Sequence, residues 1–274
     1  SGVAVVPAGT PIGHTTMTVG NAFLKAYKAH GCPNDLAMAT SAARFLANGL
    51  HQTEALGGVG LSYTPLDQSL CVNSNADAAS LLVRVGQEAG VDSLTQLGEK
   101  IAHFVVQAQN TDGSWHYLAG KTQGAGSIID NYHTAMTLTA VQQLAWSTLD
   151  DRLAESFAGG LDFYLDHLFA QDGRPRFATT LDWPLDIYSC AQGVITLHDA
   201  ATDPHVSADL RNKAEQKKQD LLGIMVDRMQ DADGSFLYRR YKMGSIRLKS
   251  LRWAQALCIW ALAHAGAKYN SNHA

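Results

Sequence analysis

Two short strings carry the residues best suited to proton chemistry. Asp130-Asn131-Tyr132-His133 and Asp186-Ile187-Tyr188 each follow a loop and open an apolar run, and Gln192 stands one turn beyond Tyr188. Histidine titrates near neutrality, so His133 is the candidate general base. Tyr188 is a candidate proton donor to a leaving oxygen, and Gln192, four residues on, shares its helix face. Asp130 and Asp186 hold the same place in consecutive segments. Each reads either as a helix N-cap or as a catalytic carboxylate. As a pair they could also serve a glycoside hydrolase, their separation choosing between inversion and retention. Trp183, just ahead of Asp186, offers a face on which a sugar ring could stack.

A second group could bind an anion. Arg239, Arg240, Lys242, Arg247, Lys249 and Arg252 fall within fourteen residues and account for six of the 21 Lys and Arg of the chain. Tyr238, Tyr241 and Trp253 interleave with them. Guanidinium forks fit carboxylates, sulfates or phosphates, and aromatic faces stack on sugars. The competing reading is a solvated loop whose charges pair with nearby acids. Tyr63, Asn73 and Asn75 form a further set, in which the amides could grip a carboxylate without adding charge or could serve turn chemistry alone. In Asp112-Gly113-Ser114-Trp115-His116-Tyr117, strand-like alternation would put Trp115 and Tyr117 on one side and His116 on the other.

These residues recur in step with a repeat. Gly-turn loops end in Tyr63, Tyr117, Phe177 and Tyr238, at spacings of 54, 60 and 61. Each is followed by a polar cluster opening an Ala/Leu-rich run. A period this long, with two helices per unit, predicts an array of helical hairpins. Apolar periodicity predicts helices near 16–29, 35–50, 75–89, 93–109, 131–147, 151–169, 187–200, 207–229 and 250–267, with Ser93 as an N-cap and strands only as short pieces inside loops such as 236–238. The long loops then gather on one face. The expected fold is all-α, an incomplete α/α toroid of about five hairpins, with 1–274 as one domain.

Bulk composition narrows the function. A hydrophobic fraction of 46% supports a packed core, and a net charge of −4 argues against a general nucleic-acid binder. No run of about 18 apolar residues suggests a membrane span. Ser1–Pro11 lacks a basic segment and is not read as a signal peptide. Cys32, Cys71, Cys190 and Cys258 form no CxxC pair and are expected as free thiols in a reducing compartment, which points to the cytoplasm, or to the periplasm or secretion if a leader was removed. The eleven histidines show no metal-ligand spacing, so no metal and no cofactor is expected.

Several stretches resemble a bacterial family of exopolysaccharide gene clusters described as prenyltransferase- or squalene-cyclase-like. They are residues 15–27, 72–82, 109–117, 129–136, 183–197 and 251–263. The family looks like an α/α toroid, similar to six-hairpin carbohydrate enzymes and to terpenoid cyclases. Residues 183–193 also resemble a stretch of uronyl C5-epimerases. The DxDD acid of class II cyclases has no counterpart here, and neither does the Cys/His/Asp zinc set of protein prenyltransferases. The resemblance implies the toroid more than an activity.

The combined expectation is an enzyme acting on an acidic, uronate-containing oligo- or polysaccharide by C5-proton abstraction, of lyase or epimerase type. Arg239, Arg240 and Asn75 would neutralise the carboxylate, His133 would take the proton and Tyr188 would donate one. Tyr63, Asn73, Trp115, Tyr117, Trp183, Gln192, Tyr241, Arg247, Arg252 and Trp253 would bind substrate. The alternatives are the Asp130/Asp186 hydrolase, an isoprenoid enzyme holding a diphosphate on the basic cluster, and a binding module without catalysis.

Overall fold

A computed structural model describes residues 6–266, and only the backbone of Arg252 and Trp253. The described residues form nine α-helices and five short strands. The described residues divide into two compact units, one made of residues 6–111, 115–128 and 140–157, the other of residues 112–114, 129–139 and 158–266.

The first unit begins with α1 (Gly13–His30) and α2 (Pro33–Gly49) packed as a hairpin. Gly31 ends α1 in the left-handed conformation, its N–H bonded to Tyr27 O, and Pro33 opens α2 where a missing N–H costs nothing. Strands β1 (Gln52–Ala55) and β2 (Gly58–Leu61) follow as an antiparallel hairpin. Leu56 and Gly57 at its tip both have positive φ, 51° and 73°, the two-residue turn whose twist matches paired strands. Next come α3 (Val72–Ala89) and α4 (Asp92–Gln107), which pack on each other, and β2 lies against α4. The core takes Met17, Leu24, Leu46, Leu81, Leu82, Ile101 and Phe104, all nearly inaccessible. Ser93 does not cap α4. The helix starts one residue earlier, and Val91 holds the cap position.

Helices α5 (Asn131–Thr148) and α6 (Asp151–His167) each contribute residues to both units. The second unit continues with β3 (Leu185–Asp186), α7 (Ile187–Thr202), α8 (Ala208–Met229), β4 (Arg239–Tyr241), β5 (Gly244–Ile246) and α9 (Ala256–Gly266). Helix α7 packs on α8 and α9, and Ile187, Ala191, Val194 and Leu197 are buried in this unit's core. Strands β3, β4 and β5 form an antiparallel sheet in that order, with Asp186 paired to Arg239 and Leu185 to Arg240. Leu251–Gln255 is a π-helical turn leading into α9, where simple periodicity predicts an uninterrupted helix. No helix among the described residues is long and apolar enough to cross a membrane.

The repeat has a backbone explanation. Tyr63 O accepts from Gly13 N, Tyr117 O from Val72 N, Phe177 O from Asn131 N, and Tyr238 O from Ile187 N. Each closing aromatic thus satisfies the first orphan amide of the helix that opened its own segment. Three of the four glycine loops are Asx turns, in which Asp112, Asp172 and Asp233 accept from the amides of Ser114, Arg174 and Ser235. Gly113 shows why glycine follows the aspartate. Its φ is 89°, and a Cβ there would collide with the carbonyl of Gly159. The first loop departs from this scheme, being the β1–β2 hairpin.

Candidate functional site

The second unit joins Asp130, His133 and Tyr188 through a chain of contacts. Asp130 precedes α5 and accepts from the backbone amide of His133 through Oδ1 at 2.9 Å. Its second oxygen lies 2.7 Å from His133 Nδ1. A carboxylate accepts, so Nδ1 is the donor in this bond, which in a neutral ring leaves the lone pair on Nε2. His133 is 34% exposed at its side chain and Asp130 11%, so the imidazole reaches solvent while its partner carboxylate is sheltered. This is the arrangement that holds a histidine base in one tautomer and one orientation.

Asp186 repeats the cap one segment later. Its Oδ1 accepts from Tyr188 N at 2.9 Å, and Oδ2 accepts from Arg239 Nε at 2.5 Å. Burial raises the Asp186 carboxyl above the ordinary carboxylate range, against the pull of the Arg239 guanidinium. Burial works against the charge on Arg239 too, yet Asp186 holds that guanidinium above its ordinary value. Arg239 also lies over the rings of Tyr238 and Phe177, at 4.8 and 5.2 Å from their centroids.

Aromatic rings join the two caps. Tyr132 contacts His133 at 5.2 Å and Tyr188 at 5.5 Å between ring centroids, and Tyr188 contacts Tyr238 at 5.7 Å. Burial, Tyr238 and Asp186 all push the Tyr188 phenol well above its ordinary range. It therefore stays protonated at neutral pH, a hydrogen-bond donor that is a weaker acid than a solvated phenol. One turn on, Gln192 is buried and donates to Thr139 Oγ1 at 3.2 Å and to Thr196 Oγ1 at 3.4 Å. The cluster therefore offers an oriented imidazole, a protonated phenol and stacked rings at the positive ends of α5 and α7.

Several expected site residues have structural duties instead. Asp186, 4% exposed at its side chain and fully engaged, cannot protonate a glycosidic oxygen, and Asp130 is committed to a cap and to His133. This counts against the hydrolase pair. Asn75 is buried and clamps β2, accepting from Leu61 N at 2.6 Å and donating to Leu61 O and Cys71 O. It has no reach for a substrate carboxylate. Trp115 is also buried, and its indole N–H is spent on Val105 O at 3.0 Å, so it is a core residue and not a stacking platform. Asn73 is buried, with Oδ1 accepting from Cys71 Sγ.

The basic cluster is mostly neutralised. Arg239 serves Asp186, Lys249 serves Asp233, and Arg247 lies 3.7 Å from Asp231. Arg240 donates to the carbonyl of Arg228 from an exposed strand, and Tyr241 is 41% exposed beside it. The pairing reading therefore holds for Arg239, Arg247 and Lys249. The side chains of Arg252 and Trp253 lie outside the described residues. Trp183 carries the Arg174 guanidinium on its face, 4.3 Å from the ring centroid. Half-buried Tyr63 and Tyr117 belong to the first unit, where their carbonyls make the joints described above. The four cysteines are free, and burial raises Cys258 to about 12 and Cys190 well above its ordinary value, so neither is a ready nucleophile.

Solved structures share this architecture. Cellobiose 2-epimerase from Bacillus thermoamylovorans superposes with a TM-score of 0.75 at 14% identity, over 94% of this chain and 71% of the other. The fold is of the α/α-toroid class. A sugar epimerase from a ruminal bacterium gives 0.76 at 14% identity over 95% and 72%. An unsaturated glucuronyl hydrolase specific for heparin gives 0.72 at 14% over 95% and 76%. At these identities the likeness to α/α-toroid structures is one of fold. No family model matches the chain, and no curated protein does.

Proposed function

We propose that this chain is a carbohydrate-active enzyme that moves a proton at a sugar carbon next to a carbonyl or carboxylate, as an epimerase or a lyase, on an acidic saccharide. The Asp130–His133 pair is the observation that carries the reading. With its proton on Nδ1 held by Asp130, His133 would abstract the carbon-bound proton through Nε2. Negative charge then grows on the adjacent oxygen, where the Tyr188 phenol and the N-terminal dipoles of α5 and α7 favour it. Cleavage of the bond between the next ring carbon and its glycosidic oxygen, which takes a proton from Tyr188 as a carbon–carbon double bond forms, would complete an elimination. Return of a proton to the opposite face would complete an epimerisation.

Supporting this, the α/α-toroid neighbours are named as sugar epimerases and as a hydrolase of unsaturated glucuronyl groups. The commitment of Asp130 and Asp186 as caps favours proton transfer over hydrolysis by that pair.

The test uses deuterium oxide. The protein is incubated with uronate oligosaccharides and with reducing disaccharides, following deuterium at carbon by NMR together with absorbance of unsaturated uronates. We expect exchange or unsaturation with the wild type and its loss, by about 10²-fold or more, in His133→Ala with the fold intact. Equal turnover by that variant would refute the assignment. New reducing ends with neither signal would transfer the reading to hydrolysis, and no change in any sugar would leave saccharide binding alone.

A further inference from the structure

The first unit holds a guanidinium that no carboxylate of the described residues contacts. Arg84 stands in the middle of α3, partly buried. Its Nη1 donates to Asn21 Oδ1 at 3.0 Å, to Gln143 Oε1 at 2.9 Å and, more weakly, to Ser80 Oγ at 3.5 Å. Ser80 in turn donates to Gln143 Oε1 at 3.0 Å. All of these acceptors are neutral. Among the described residues no carboxylate lies within 4 Å of Arg84, and the nearby Glu88 is occupied by Lys28 at 2.8 Å. Burial lowers the Arg84 guanidinium from its ordinary value, and the pull of Glu88, which does not contact it, only partly offsets this.

Proteins rarely leave such a charge unmatched, because desolvating an ion is costly unless a partner repays it. Here the partners orient the side chain without cancelling it. They also all sit on one corner of the fork. Nε and Nη2 make no hydrogen bond to described residues, and those two N–H groups form the parallel edge that takes a carboxylate bidentately. The basic loop at 239–252, by contrast, has already spent Arg239, Arg247 and Lys249 on aspartates of the chain.

We infer that Arg84, held by Asn21, Ser80 and Gln143, is a carboxylate-binding site whose ligand is a uronic acid residue. The inference extends the acidic-saccharide reading above but concerns binding alone. It is therefore tested without turnover, by calorimetric titration of glucuronate into the wild type and into His133→Ala.

Both proteins are expected to bind glucuronate, with glucose at least tenfold weaker. Acetate in excess should compete with glucuronate, since it carries the recognised group. Arg84→Gln should weaken glucuronate at least tenfold, with circular dichroism checking the fold. Gln143→Glu keeps the argument testable should that variant unfold. It places a carboxylate where an oxygen already lies 2.9 Å from Nη1, filling the site from within. It should abolish glucuronate binding while the thermal midpoint stays level or rises. Equal titration by glucose and glucuronate, failure of acetate to compete, or wild-type affinity in Gln143→Glu would overturn the inference. Loss of binding in His133→Ala alone would also overturn it, whereas failure of that variant to exchange protons while still binding bears only on the reaction.

Discussion

Asp130 and Asp186 occupy the same position at the start of consecutive helices and make the same first bond, an Oδ1 that caps the helix. They differ in what the second oxygen holds. At Asp130 it is an imidazole that can gain or lose a proton, partly open to solvent. At Asp186 it is the permanently charged guanidinium of Arg239, in a more closed setting. One cap therefore holds an imidazole in place, which the proposed reaction would use to carry a proton, and the other locks a strand to a helix. A repeated fold gives each segment a spare acceptor at the same point, and the residue facing it decides between chemistry and architecture.

The largest effect should come from breaking the closed member. Asp186→Ala removes the cap and strands Arg239 in a partly buried place, which should destabilise the protein by about 3–5 kcal/mol in urea unfolding. A loss below about 1 kcal/mol would mean that solvent reaches the pair and that the two caps differ less than their burial suggests.

The open member should behave in the opposite way. Asp130→Asn keeps an oxygen for the His133 amide but offers N–H where Nδ1 needs an acceptor. Unfolding free energy should change by less than about 1 kcal/mol, while proton exchange into substrate falls by about 10²-fold or more. A variant that lost stability and kept activity would reverse the comparison.

A third aspartate, this one beside a histidine in the first unit, sharpens it at smaller amplitude. His14 and Asp77 lie 3.8 Å apart in the first unit, but Asp77 sits within α3, with no helix-end amide to receive. Burial raises its carboxyl to about 7. The folded protein thus holds this proton more tightly than the unfolded chain, so the carboxyl costs nothing below about pH 4. Its cost grows as pH rises from there towards about 7 and is full above that. Asp77→Asn should then stabilise the protein on the order of 1 kcal/mol at pH 8, the figure discounted because the side chain is 22% exposed. It should do little at pH 4. An equal gain at both values would show that charge is not the cause.

Much of the architecture was legible because its signals are local. Apolar periodicity marked every helix, and the aspartate-glycine pairs marked three of the four turns. The hairpin at 52–61 escaped because its tip, Leu56-Gly57, puts a bulky residue at positive φ, where turn chemistry leads one to expect Asn or Gly. The site was legible only in part. Asp130 and His133 stood out by residue type and by position at a loop end. Trp115 and Asn75 misled because a side chain's polar atoms do not reveal whether the backbone will claim them. Arg84 was missed altogether. A lone arginine on an Ala- and Leu-rich helix reads as a solvated face, and its surroundings come from residues 59 and 63 positions away. A trace existed in the spacing of His14, Asn21 and Lys28, which meet Asp77, Arg84 and Glu88 in turn, but only the packing of α1 on α3 gives that spacing meaning.

The joints at Tyr63, Tyr117, Phe177 and Tyr238 are made by main-chain oxygens, so these four hydrogen bonds do not depend on the rings. Exchanging those side chains therefore leaves the four main-chain bonds in place, although at Phe177 and Tyr238 it also removes the ring beneath Arg239. A combinatorial library confined to these positions should yield mostly folded proteins, and any change in sugar preference among its members would trace to the rings alone.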